Sequence, residues 1–258
     1  MAARTHAEPA PTSLGGGEPE PAIPVSGGRV TADEVPERLA AVRRRIAAAA
    51  ERVLRDPDEI RMVAVTKMVA PEMIVAAQRA GQIDFGENRA QEFRRKLAVI
   101  EPPVAWHFVG RVQRNKVADV TGLAQLIHSV DRLELAEALA ARAQRDGLRQ
   151  RILVQVNTGL DPAKAGVVPE EAPALIERVR ELSGLACEGL MTVPPLAADP
   201  RPLFARLRAL RDTLRSRFPE IQQLSMGMSG DFEVAIEEGS TIVRLGEALF
   251  GPRPLKPA

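Results

Sequence analysis

Short apolar runs alternate along the chain with longer stretches in which apolar residues recur at helical spacing. Continuous apolar runs of this length suit strands of a parallel sheet that are buried on both faces, and the helical spacing suits amphipathic helices packed outside it. Eight runs read as strands: Met62 to Thr66, Ile83 to Gly86, Trp106 to Gly110, Leu126 to Val130, Ile152 to Asn157, Ala186 to Met191, Gln223 to Met226 and Ile242 to Leu245. Between them lie helical stretches near Pro71 to Arg79, Arg89 to Val99, Asn115 to Val120, Arg132 to Gln144, Pro169 to Leu182, Arg201 to Phe218 and Asp231 to Glu238. Eight strands with intervening helices close most naturally into a single (β/α)8 TIM barrel. The alternative is an open doubly wound sheet, but no Gly-x-Gly-x-x-Gly turn follows any of the strands to support a dinucleotide fold.

Ahead of the first strand, Thr31, Asp33 and Glu34 supply helix-start chemistry for an Ala- and Arg-rich segment. An extra N-terminal helix is expected there, from about Ala32 to Arg55, ending before Pro57. Ten of residues 1–28 are Pro or Gly, and large apolar side chains are almost missing. Such a segment cannot bury enough surface to offset its ordering entropy. Residues 1–30 are therefore read as a disordered tail, and 31–258 as the barrel domain.

Composition narrows the function classes. The 258 residues suit one barrel of this class, and 45% hydrophobic with 27% charged residues is ordinary for a globular protein. A net charge of +1 gives no field that would argue for nucleic acid or an acidic membrane as partner. The single cysteine, Cys187, excludes an internal disulfide and any multi-cysteine metal site. No apolar stretch approaches the ~18 residues of a membrane span, and the start lacks the apolar core of a signal peptide. A protein of the cytoplasm is expected. Tyrosine is absent, and His6 lies in the tail, which leaves His107 and His128 as the histidines open to chemistry.

Lys67 ends the first strand, in Arg61-Met-Val-Ala-Val-Thr-Lys67. Desolvation there disfavours the ammonium form, and a neutral amine is a nucleophile able to form a Schiff base with an aldehyde. The plainer reading is a lysine snorkelling to the sheet rim. In a barrel the active site lies at the C-terminal strand ends. Those ends carry Lys67, Glu87 with Asn88, Gly110, Asn157, Met191 with Thr192, Ser225 to Ser229, and Arg244 with Gly246. The loops after strands seven and eight are the usual phosphate site of this fold, and glycines let backbone N–H groups approach an oxyanion. Asp231 and Glu247 beside those glycines would repel a phosphate unless they point away, and both also suit first-turn acids of their own helices. Gly227-Met228-Ser229-Gly230-Asp231 lacks the final glycine of a nucleophile elbow, which sets a serine hydrolase aside.

The residues resemble the YggS/PROSC family of pyridoxal phosphate homeostasis proteins. The blocks that carry the resemblance are Ala64-Val65-Thr66-Lys67, Phe85-Gly86-Glu87-Asn88, Trp106 to Gly110 with Gln113, Asn115 and Lys116, His128 to Asp131, Gly189 to Met191, Leu224 to Ser229 and Val243 to Gly251. The resemblance implies a barrel like the N-terminal domain of alanine racemase, with Lys67 holding pyridoxal phosphate (PLP) as a lysine Schiff base. By position, Arg244 would face the pyridine nitrogen, and Ser229, Gly230 and Gly246 would hold the phosphate. The implied cofactor-binding set is Lys67, Asn88, His107, Ser225, Ser229, Gly230, Arg244 and Gly246. The chain departs from the family at Arg89, where an aromatic is frequent, and at Glu247, where a small hydroxyl residue is frequent.

Two functions remain open. One is a monomeric cofactor carrier that buffers PLP or delivers it to apo PLP-dependent enzymes without turnover. The other is a PLP-dependent amino-acid racemase, which needs a second acid or base opposite the lysine. The racemases with this barrel use a tyrosine from another domain; this chain has no tyrosine and reads as one domain, so only His107 could substitute, and the carrier is favoured. A cofactor-free Schiff-base aldolase using Lys67 is a third, more distant reading. Lys164, in the loop after strand five, is a candidate transfer amine, against the plainer reading of a solvated loop lysine.

Overall fold

Every apolar run becomes a parallel strand. In the computed structural model, which describes residues 30–195 and 197–252, the strands are β1 (Arg61–Val65), β2 (Asp84–Glu87), β3 (Ala105–Phe108), β4 (Leu126–Val130), β5 (Gln150–Gln155), β6 (Leu185–Met191), β7 (Gln223–Ser225) and β8 (Ile242–Leu245). They pair in chain order, and β8 closes the barrel against β1. The helices are α1 (Val35–Glu51), α2 (Pro71–Arg79), α3 (Ala90–Leu97), α4 (Leu133–Arg145), α5 (Ala172–Arg180), α6 (Pro200–Arg215), α7 (Phe232–Glu237) and α8 (Glu247–Phe250). The tail expected over residues 1–30 lies, apart from Val30, outside the described residues. Val30 itself is buried and packs against Gly251.

Some boundaries differ from the sequence reading, for local reasons. The first helical segment is split. Ala32–Glu34 is a 3-10 turn in which Glu34 accepts the Thr31 N–H at 2.7 Å. α1 then stops at Glu51, well short of Arg55. Leu54 takes a left-handed φ of 54°, and Asp56 is extended before Pro57, as proline requires of its predecessor. The stretch near Asn115 to Val120 is a 3-10 helix, Arg114–Asp119. β1, β3 and β5 end at Val65, Phe108 and Gln155, so Lys67, Gly110 and Asn157 stand in the loops above the barrel.

Alternation along each strand sorts two layers. Met62, Ala64, Phe85, Trp106, Phe108, Ile127, Val154 and Leu245 belong to the large core shared with the helices. Val63, Leu126, Leu153, Met191 and Ile242 form a small apolar cluster of their own. The two layers never mix. Polar side chains are also buried on the strands: His107, His128, Ser225 and Arg244. Gly189 shows how closely the wall is packed, because a Cβ there would meet the Gln223 carbonyl oxygen of β7 at 2.0 Å.

Candidate functional site

Beyond β1 the chain turns sharply. The Thr66 N–H still donates to the Gly86 carbonyl at 2.9 Å, and the Val69 N–H closes the turn onto the Thr66 carbonyl at 2.8 Å. Lys67 is half-buried in that turn, and Met68 after it adopts φ 60°. For a long side chain this is a strained conformation that its surroundings must hold. A buried cluster does so. Lys96 of α3 donates from Nζ to the Thr66 carbonyl at 2.5 Å, to Glu87 Oε1 at 2.5 Å and to Glu92 Oε1 at 2.8 Å. Thr66 Oγ1 donates to the same Glu87 oxygen at 2.6 Å, and Glu92 Oε1 accepts the Met68 N–H at 2.6 Å. Thus the residues on both sides of Lys67 are tied to one ion-paired cluster. Burial pushes the Glu87 carboxyl up, with Lys96 and Thr66 opposing. The sequence reading named Glu87 but missed Lys96. The only signal was the i,i+4 pair Glu92–Lys96, which resembles any solvated helix face.

Beside β1, in register with Val63, stands Arg244 on β8. It is buried, donating from Nη1 to Ser225 Oγ at 2.7 Å and from Nη2 to the Thr192 carbonyl at 2.8 Å. Burial pulls its guanidinium down to about 10, with Asp231 opposing, so it remains a cation at neutral pH. Ser225 continues inward. Its Oγ lies 2.8 Å from His128 Nδ1, His128 Nε2 lies 2.9 Å from His107 Nδ1, and His107 Nε2 lies 2.9 Å from Asp84 Oδ1. His107 is fully buried, and both its nitrogens are engaged within the protein. Its partner Asp84 opens β2, at the end of the barrel away from the Lys67 turn.

The β7–β8 side gathers the remaining candidates. Gly227 takes φ 95°, Gly246 precedes α8, and Ser229 Oγ accepts the Ala248 N–H at 3.1 Å. A Cβ on Gly230 would meet open space, so that backbone is approachable. Asp231 points back into its own loop, where Oδ1 accepts the Met228 N–H at 2.6 Å; burial raises its carboxyl pKa. Asn88, after β2, holds its Oδ1 buried with no hydrogen-bond partner among the described residues. Gly110 presses on that same segment, since a Cβ on it would lie 2.1 Å from the Asn88 carbonyl oxygen. Lys164 sits half-buried in the β5–α5 loop. That loop is pinned by its own bonds: Asn157 Nδ2 to the Asp161 carbonyl, Ala163 N–H to Asp161 Oδ1, and Lys164 N–H to the Asp161 carbonyl. Among the described residues, no group of three His, Cys, Asp or Glu side chains is placed to hold a metal.

Residues 38–254 match the family described as alanine racemase, N-terminal domain. The pyridoxal phosphate homeostasis protein of Aquifex aeolicus is 44% identical over 222 residues, covering 84% of this chain and 97% of the relative. The chain belongs to the pyridoxal phosphate homeostasis family. The Escherichia coli member is 36% identical over 228 residues, with 86% and 97% covered. Among solved members, PipY of Synechococcus elongatus without PLP has a TM-score of 0.76 at 35% identity, covering 84% of this chain and all of PipY. PipY with PLP bound gives 0.75 at 34% identity, with the same coverage. An alanine racemase of Clostridium difficile shares the barrel, with a TM-score of 0.63 at 16% identity over 83% of this chain and 56% of the racemase.

Proposed function

We propose that this chain binds PLP at the mouth of the barrel and buffers or delivers it without turning over a substrate. The observation that carries the reading is the set of groups brought to one barrel end, in a chain of the same family as PipY, which has been solved with PLP bound. That set is an amine after β1, an inward-tethered arginine on β8, and an approachable Ser-Gly loop between β7 and α7.

The groups suit PLP one by one. Lys67 would be the amine that holds the cofactor through its aldehyde, and Lys96, Glu87 and Glu92 hold the backbone beside it. Ser229, Gly230 and Gly246 present hydroxyl and backbone donors to the phosphate. Asp231 disturbs this little, because its carboxylate is turned onto the Met228 N–H. The orphaned Asn88 Oδ1 offers an acceptor to the cofactor's polar rim. When bound, PLP supplies an electrophilic aldehyde and an electron-withdrawing ring. Arg244, a cation that does not readily give up a proton, would leave the ring nitrogen unprotonated and so weaken that withdrawal. Racemisation would need an acid or base on the far face. The nitrogens of His107 are occupied by Asp84 and His128, and the chain has no tyrosine.

The carrier works as a cytoplasmic monomer whose partners are PLP and apo PLP-dependent enzymes. Among the described residues, no helix is long and apolar enough to cross a membrane. Lys164, in the β5–α5 loop, would be the second amine that takes over the cofactor from Lys67 on release. The test mixes loaded protein with a PLP-free aminotransferase and follows recovery of aminotransferase activity, alongside racemisation of free amino acids. Transfer without racemisation is expected, with Lys164→Ala slower at equal loading. Steady racemisation by the loaded protein would replace the carrier with an enzyme, and equal transfer rates would return Lys164 to the surface.

A further inference from the structure

Five polar side chains on five strands form one unbroken line through the barrel, from Asp84 on β2 through His107, His128 and Ser225 to Arg244 on β8. Their chemistry fixes its direction. A guanidinium only donates, so Arg244 gives a hydrogen to Ser225 Oγ, and Ser225 must pass its own hydrogen to His128 Nδ1. His128 then keeps its proton on Nε2 and donates to His107 Nδ1. His107 in turn keeps its proton on Nε2 and donates to the Asp84 carboxylate. Every group is satisfied, both imidazoles are neutral, and all the hydrogens point toward Asp84. The reverse order would need a proton on Asp84 beside Arg61, 3.7 Å away, and would leave the Ser225 hydrogen without an acceptor.

We propose that this line is a positioning relay, in which Asp84 at the far end of the barrel sets the tautomers of both histidines and thereby the anchoring of Arg244 at the cofactor site. Four observations support it. The chain is continuous, with links between 2.7 and 2.9 Å. Neither histidine has exposed surface, so water cannot substitute for a lost link. Burial above all disfavours imidazolium at both rings, and the cations beyond the line add to it, Arg61 and Arg151 at His107 and Arg61 at His128, as Arg244 does for His128. Asp84 itself lines an open cleft of about 530 Å³ with Arg43, Arg61 and Gln82, so it can be changed without filling or emptying the core. Asp84 and His107 touch no cofactor in this scheme. Their effect reaches the site only through Ser225.

The proposal rests on the placement of Arg244 against the cofactor ring, and the experiment separates the two claims. Long-range ¹H–¹⁵N spectra of the histidine rings, in PLP-free protein carrying His6→Gln, are expected to show His107 and His128 both neutral and protonated on Nε2. An Nδ1 proton on either ring would overturn the relay. Asp84→Asn lets an amide donate where a carboxylate could only accept, so both rings should redistribute toward the Nδ1 tautomer. The Arg244 Nη signals, four links away, should shift as well. Arg61→Gln removes a neighbouring charge but no link of the line, so both rings should keep the Nε2 tautomer. Unchanged His128 and Arg244 signals in Asp84→Asn would overturn the relay whether or not PLP binds. In loaded protein, Asp84→Asn should displace the pH profile of the cofactor absorbance and weaken PLP binding by about tenfold, the cost of leaving a buried donor poorly met. Shifted protein signals with an unmoved cofactor spectrum would instead overturn the placement of Arg244 at the ring.

Discussion

Arg244 is a charged residue held by neutral groups. Its two terminal nitrogens bond a hydroxyl and a carbonyl, and its nearest counter-charge, Asp231, is turned onto its own loop. A positive charge is thereby left for a ligand. Arg244→Glu would set a carboxylate against the Thr192 carbonyl, so the informative change is Arg244→Lys, which keeps the charge on a single point. We expect it to alter the absorbance of bound PLP and to cost about 1–3 kcal/mol in denaturant unfolding through the lost bond. An identical spectrum would move Arg244 away from the ring. Much at this scale was legible. Lys67, Arg244, Ser229 and Gly246 follow from reading strand ends once a barrel is assumed. His107 was grouped with the cofactor ligands, and the structure sets it deep inside. Strand alternation tells which way a residue faces but not how far along the barrel axis it lies.

Among the elements, α3 does more than cover the sheet. It delivers Lys96 and Glu92 to the turn after β1, so a helix three elements further along the chain holds the strained backbone beside Lys67. Lys96→Met removes the cation from two carboxylates, one fully buried, and should cost about 3–5 kcal/mol. In a domain of this size that lowers the melting temperature by about 10 °C. Adding Glu87→Gln should return part of the loss, and an unchanged melting temperature in Lys96→Met would mean the cluster holds nothing. Apolar spacing placed all eight strands to within a residue or two. It overran α1, because alanine and arginine favour helix right up to a stop that the Asp56-Pro57 backbone had already imposed. The clamp stayed hidden because it joins β1, β2 and α3 through contacts that no spacing within one element encodes.

At the scale of the molecule, a TIM barrel normally fills its interior with branched apolar side chains. Here the separate apolar cluster on the strands holds only five residues, and a polar line runs beside it. The line makes the fold sensitive to acid. Burial lowers the pKa of His107 and lowers that of His128 further, both from an ordinary 6.5. Their contribution is therefore complete above 6.5 and is lost as pH falls from there toward the lowered folded values. Each histidine can contribute a slope of up to about 1.4 kcal/mol per pH unit. Unfolding free energy should decline as pH falls below 6.5, and a flat profile would show that the histidines take up protons as readily in the fold as in the unfolded chain. On the reading proposed above, the barrel as a whole serves to hold one cofactor on one lysine. The most direct test loads the protein with PLP, reduces it with borohydride and maps the modified peptide by mass spectrometry. The account predicts a single reduced pyridoxyl adduct on Lys67, absent from Lys67→Ala although that variant still folds. An adduct on another lysine, or one that persists in Lys67→Ala, would contradict it.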